Sequence, residues 1–129
     1  MKFMLMMNAP QGTGDWGASK WSQDDLKAHI DFMHRFNAEL KSAGELVGAE
    51  GLAPPAQARI VRAGNNGAPL VTDGPFAETK EFLAGYWIVQ CDSAARAYVL
   101  AARASAAPGP GGTPLNIPIE VREVQSPPA

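Results

Sequence analysis

The residue best placed for chemistry in this sequence is an aspartate caught between a strand end and a Gly-Pro corner. Val71-Thr72-Asp73-Gly74-Pro75-Phe76 sets three punctuating residues in a row. Asp bonds its own nearby backbone, Gly accepts a positive φ, and Pro fixes φ and removes a donor. A carboxylate held there, beside the Thr72 hydroxyl, can serve as a general base or accept a hydrogen bond from a ligand. It can equally hold the turn by accepting backbone N–H groups, and the two roles are compatible. His29 and His34 are the other titratable candidates. An imidazole within reach of a carboxylate makes an acid–base pair, whereas a lone His on an apolar helix face is commonly a satisfied core residue. Glu50 reads as either a rim residue or a buried acid. Trp16 and Tyr86, with Trp21 and Trp87, can line an aromatic pocket or simply pack in the core.

Several kinds of site are set aside by spacing. The two histidines stand five apart on one helix, about 140° around its axis, and cannot chelate one metal together. The glycines of Gly109 to Gly112 follow a helix and do not open one, so no phosphate-binding loop is expected. The single cysteine, Cys91, excludes an intrachain disulfide and a cysteine metal cage. No metal and no cofactor are therefore expected. A net charge of −2 with scattered Lys and Arg argues against direct nucleic-acid binding. No stretch approaches the roughly 20 apolar residues of a spanning helix, and Met1–Met7 is too short for a secretory core. A cytoplasmic protein with no membrane contact is the expectation.

The elements that must position these residues follow from periodicity. Residues 2–8 read as a strand apolar on both faces, and residues 9–20 as a Gly-rich loop that could act as a lid. Ser22 is a helix cap three residues before Asp25, and Gly44 a left-handed stop. Between them Leu26, Ile30, Met33, Phe36 and Leu40 share one arc, with His29 and Asn37 inside it and His34 on its margin. Glu45–Leu52 reads as a strand with Glu50 on the face of Leu46 and Leu52. Ala58–Ala63 and Pro69–Thr72 flank the hairpin turn Gly64-Asn65-Asn66-Gly67. Leu83–Cys91 is the best central strand, with Leu83, Trp87 and Val89 on one face and Ala84, Tyr86 and Ile88 on the other. Asp92-Ser93 opens a second helix that Pro108–Gly112 ends, and Ile117–Val124 is the last strand.

This order of elements matches an α+β fold, the ferredoxin-like split β-α-β antiparallel sheet with two helices on one face. Residues 1–125 read as a single domain and 126–129 as a disordered tail. Two of the strands are apolar on both faces, so the uncovered face calls for a second copy of the chain. The segments MKFMLMMNAP, FNAELKSAGELVGAEGL, VTDGPFAETKEFLAGYWIVQ and IEVREV also resemble the DGPF family, related to the YCII-like proteins. That resemblance implies a homodimer of the dimeric α+β barrel type. It also implies a His on the first helix paired with an Asp near the third strand, a pair proposed as catalytic in the wider group. Here His34 and Asp73 fall near those positions. Association with a sigma factor is implied too, because such proteins are often encoded beside extracytoplasmic-function sigma factors.

Three functional readings stand. The first is a dimeric small-molecule-binding protein, with a regulatory role open to it, and its pocket near Asp73, Glu50, Thr72, Trp16 and Tyr86. The second is a cofactor-independent lyase or isomerase using Asp73 with His34 or His29 on a small aromatic or oxygenated substrate. The third is an interacting subunit. Fold resemblance alone does not choose between them.

Overall fold

The computed structural model describes residues 1–10, 18–74 and 80–125. The suggested lid residues 11–17, including Trp16, the Pro75–Thr79 stretch after Asp73, and the 126–129 tail lie outside the described residues. Four strands form the main sheet: β1 (Lys2–Pro10), β2 (Leu46–Gly51), β5 (Glu81–Gln90) and β6 (Ile119–Glu123). Their order is β2-β5-β1-β6, with every neighbouring pair antiparallel. Helix α1 (Gln23–Ser42) links β1 to β2, and α2 (Ala94–Ser105) links β5 to β6. This is the ferredoxin-like α+β arrangement the order of elements called for. Strands β3 (Arg59–Ala63) and β4 (Pro69–Asp73) stand apart as a separate two-stranded arm.

Both helices cover the same face of the sheet. Alternation in β1 buries Phe3, Leu5, Met7 and Ala9 toward them, and Trp87 and Val89 of β5 join the same layer. Phe36 and Leu40 of α1 and Ala97, Leu100, Ala101 and Ala104 of α2 close it. Small alanines let α2 approach closely, while Leu5, Leu40, Leu100 and Val89 are fully buried. Each such leucine or valine contributes roughly 1.5–3 kcal/mol by leaving water.

The helix ends are built as the sequence indicated. Ser22 Oγ accepts from Asp25 N at 3.1 Å, and Ser93 Oγ accepts from Arg96 N at 3.2 Å. Gly44 takes φ +71, so that Glu45 N can reach Leu40 O at 2.9 Å and finish α1. Arg96 then ties α2 to the start of β2 with two bonds to Glu45, 2.9 and 2.8 Å. A second pair, Arg103 with Glu39, links the two helices, and the Arg103 guanidinium lies 5.0 Å over the Phe36 ring.

Three expectations from periodicity need correction. Leu26 and Ile30 remain 40% and 44% exposed. The first half of α1 meets the 107–117 loop instead of the sheet, and it does so through polar contacts. His29 Nδ1 lies 3.0 Å from Pro108 O, and Asp25 Oδ1 accepts from Gly111 N at 3.3 Å. The other two corrections come from bulges, which break odd–even alternation. In β2 the register shifts between Leu46 and Gly48, so Leu46 faces Val89 while Glu50 faces Tyr86. Glu50 thus stands on the opposite face from Leu46. In β5 the shift beside Met7 and Asn8 sets Leu83 opposite Asn8, off the face of Trp87 and Val89.

The helix-free face of the sheet carries Met4, Met6, Tyr86 and Ile88, all half-buried, with Glu120 and Arg122 of β6 beside them. Its two edges differ. On β2 the edge is kinked by the bulge at Val47, and on β6 it is five residues long with Glu120, Arg122 and Glu123.

Candidate functional site

A cleft of about 210 Å³ opens between α1 and the β2–β5 end of the sheet. Its floor is a glycine pair, Gly51 facing Gly85 across the two strands. At Gly85 the backbone of β2 comes so close that an added Cβ would lie 3.0 Å from Glu50 O. Only glycine fits there without a shift. Gly51 is different, because a Cβ there meets nothing within 4 Å. The absent side chain at Gly51 leaves the hollow open, while glycine at Gly85 lets the two strands approach. Met7, Met33, Ala49 and Trp87 are among its other lining residues.

One side-chain amide enters this apolar setting. Trp87 Nε1 donates to Asn37 Oδ1 at 2.8 Å. An indole N–H can only donate, so the amide oxygen must face Trp87 and the amide nitrogen must face away. Trp87 is itself locked edge-on against Phe36, with ring centroids 5.8 Å apart. Asn37 is thereby held in one orientation with both N–H donors unspent among the described hydrogen bonds. Among the described residues no Lys, Arg or His borders the cleft, and its one charged neighbour is Glu50.

The YCII-related domain, compared as a family model, matches residues 1–111 of this sequence. The chain belongs to the YCII-related family. A relative from Rhizobium meliloti (strain 1021), an uncharacterized protein, is 33% identical over 75 residues, which is 58% of this chain and 60% of that protein. The matched stretch thus spans less than two thirds of the relative's length.

In this YCII-related chain the residues singled out from sequence fall in three places. Glu50 and Tyr86 border the cleft. The register sends their side chains to the helix-free face, where they stand opposite each other. Asp73 and Thr72 lie on the arm and are not among the cleft-lining residues. The Asp73 side chain is 95% exposed, 3.6 Å from Arg59 Nε, and Thr72 Oγ1 reaches Ile60 O at 3.4 Å. The histidines lie on α1. His34 is exposed, while His29 stacks edge-on against Trp21 and must carry its proton on Nδ1 to meet the Pro108 carbonyl. Among the described hydrogen bonds, neither histidine pairs with Asp73 or Glu50. Trp16 lies outside the described residues.

The electrostatics of the described residues are concentrated away from the cleft. Hydrogen bonding to the Arg96 guanidinium holds the Glu45 carboxyl below its ordinary value, and the same pairing raises Arg96. The Lys27 ammonium likewise lowers Asp31 through a 2.8 Å bond along α1. Among the described residues, no three of His, Cys, Asp and Glu gather as a metal cage requires. No described helix is long and apolar enough to cross a membrane.

Sequence reasoning passed over Asn37, Gly51 and Gly85 as site residues. A signal for Asn37 was present, since it falls inside the apolar arc of α1, where a polar residue needs a partner. The two glycines offered a weaker one: glycine inside a strand marks a bulge or a close approach. That they pair with each other is a matter of register and could not be read from either strand alone.

Proposed function

We propose that this chain is a small-molecule-binding protein that works as a homodimer, with its ligand in the cleft between α1, β2 and β5. The observation that carries the reading is the preformed hollow over Gly51 and Gly85, with one amide fixed inside it by Trp87. Ligand sites are typically concave, mostly apolar and supplied with few, well-placed polar groups. Binding is favoured over proton transfer because no histidine is among the described residues lining the cleft, while His29 is engaged by Pro108 and Asp73 sits on the arm.

Support for the dimer is the helix-free face. Met4, Met6, Tyr86 and Ile88 form an apolar centre over which the described residues of a single chain lay no helix. Native mass spectrometry should read twice the chain mass, and Met6→Lys should return the single mass. A wild-type chain that stays single at micromolar concentration overturns the dimer.

Binding is tested by thermal shift against small aromatic and phosphorylated metabolites, wild type beside Gly51→Leu. At least one compound should raise the wild-type melting temperature and leave the filled variant unmoved. A panel that shifts neither protein, or both alike, removes the cleft as the site.

A further inference from the structure

We infer that the cleft selects an uncharged, single-ring aromatic compound bearing a carbonyl oxygen, and that the Asn37 amide is the group that holds that oxygen. The inference rests on the binding reading above and specifies its ligand. Size comes first. A cavity of about 150 Å³ accommodates benzene, so about 210 Å³ takes one substituted ring and not a nucleotide or a fused polycycle.

Wall chemistry comes second. Met7 and Met33 face the hollow with Trp87. Thioether sulfur makes favourable contacts with aromatic rings, and its flexible stem adapts to their edges. Charge comes third. Among the described residues Glu50 is the one charged residue bordering the cleft, and its side chain turns to the helix-free face. A carboxylate or phosphate brought there would lose its hydration with no cation among the described lining residues to replace it.

The amide decides the functional group. Because Asn37 Oδ1 is committed to Trp87 Nε1 at 2.8 Å, the nitrogen side is what Asn37 can offer a ligand. It offers donors only, so the ligand must present an acceptor. A carbonyl oxygen meets that need without carrying charge.

The full chain is titrated with three probes of nearly one shape: acetophenone, ethylbenzene, which lacks the oxygen, and benzoate, which carries a charge. The readout is the Trp87 indole N–H resonance, assigned with Trp87→Phe, together with the dissociation constants. Asn37→Asp is the informative variant, read at a pH high enough to keep its carboxyl ionised, since a carboxylate still accepts from Trp87 but has no N–H to give. Acetophenone should move the Trp87 signal and bind on the order of tenfold more weakly to Asn37→Asp. Ethylbenzene should bind both proteins alike, and benzoate should bind neither. Gly51→Leu should abolish binding of both neutral probes. Met33→Phe fills the same hollow from the helix side and covers the case in which Gly51→Leu does not fold.

Equal acetophenone affinity for wild type and Asn37→Asp removes the amide from the proposal. Benzoate or a phosphorylated compound binding more tightly than acetophenone, and losing that binding in the filled variants, overturns the ligand class and leaves the binding reading standing. Failure of every compound, in this series and in the metabolite panel, to move the Trp87 signal overturns both.

Discussion

Val89 and Val71 are the same residue in the same kind of antiparallel ladder, yet one is fully buried and the other 58% exposed. Val89 belongs to the main sheet, where α1 and α2 lay a second apolar layer over one face. Val71 belongs to the β3–β4 arm, which has the strand composition, the hairpin turn and a complete five-pair register. Among the described residues the arm has no such layer: Val61 and Leu70 are 59% and 57% exposed, and every residue of β4 is open. An isolated two-stranded hairpin is marginally stable in water. The difference teaches that strand propensity places a ladder, while the layer packed on it supplies its stability.

That comparison can be broken or sharpened by experiment. Leu5→Ala and Leu100→Ala, both in the two-layer region, should each cost about 2–5 kcal/mol in denaturant unfolding, since each leaves a cavity in a close-packed layer. Values below about 1 kcal/mol would mean that the helices do not stabilise the sheet as described. Next in size is Asn37→Leu, which strips the Trp87 indole N–H of its acceptor. A loss of about 1–3 kcal/mol is expected from leaving that donor buried and unpaired.

A smaller effect concerns acid. The Glu45 carboxyl lies below its ordinary value of 4.5 because Arg96 bonds its charged form. A lowered folded value stabilises above the unfolded one and loses that contribution as pH falls through the folded one. The wild-type melting temperature should therefore decline faster below about pH 4.5 than that of Glu45→Gln. Parallel acid profiles for the two proteins would deny the pair a stabilising role. The smallest change belongs to the arm. Val61→Thr with Val71→Thr should alter global stability by no more than about 0.5 kcal/mol. Arm amides should also exchange with solvent far sooner than those of β1 and β5. Slow exchange there, with a clear loss in the double variant, would show that the arm is covered in solution.

Much of the fold was legible because local signals and tertiary needs agree. Ser22, Gly44, Ser93 and the Gly64–Gly67 turn mark element ends by backbone chemistry that acts over three or four residues. The order of elements then fixed the sheet. What alternation could not supply was which face a residue takes beyond a bulge, as at Glu50 and Leu83. A bulge is the insertion of one residue against a partner strand, so it exists in the pairing and not in either sequence. The same limit hid the cleft. Asp73 stood out because its neighbours are distinctive in the sequence, whereas Gly51, Gly85 and Asn37 matter through residues 34 to 50 positions away. Leu26 and Ile30 show the converse, an apolar arc that continues past the layer it was expected to meet.

The two sheet borders carry a consequence for how copies of this protein can associate. A strand approaching from the β2 side meets the Val47 kink, where successive N–H and C=O groups no longer present an even row. One approaching from the β6 side finds five residues of ladder dominated by Glu120, Arg122 and Glu123. Both are features that discourage edge-to-edge pairing. Sideways extension into a continuous ribbon or fibre is thus resisted at either end, and a concentrated solution should remain a population of discrete particles.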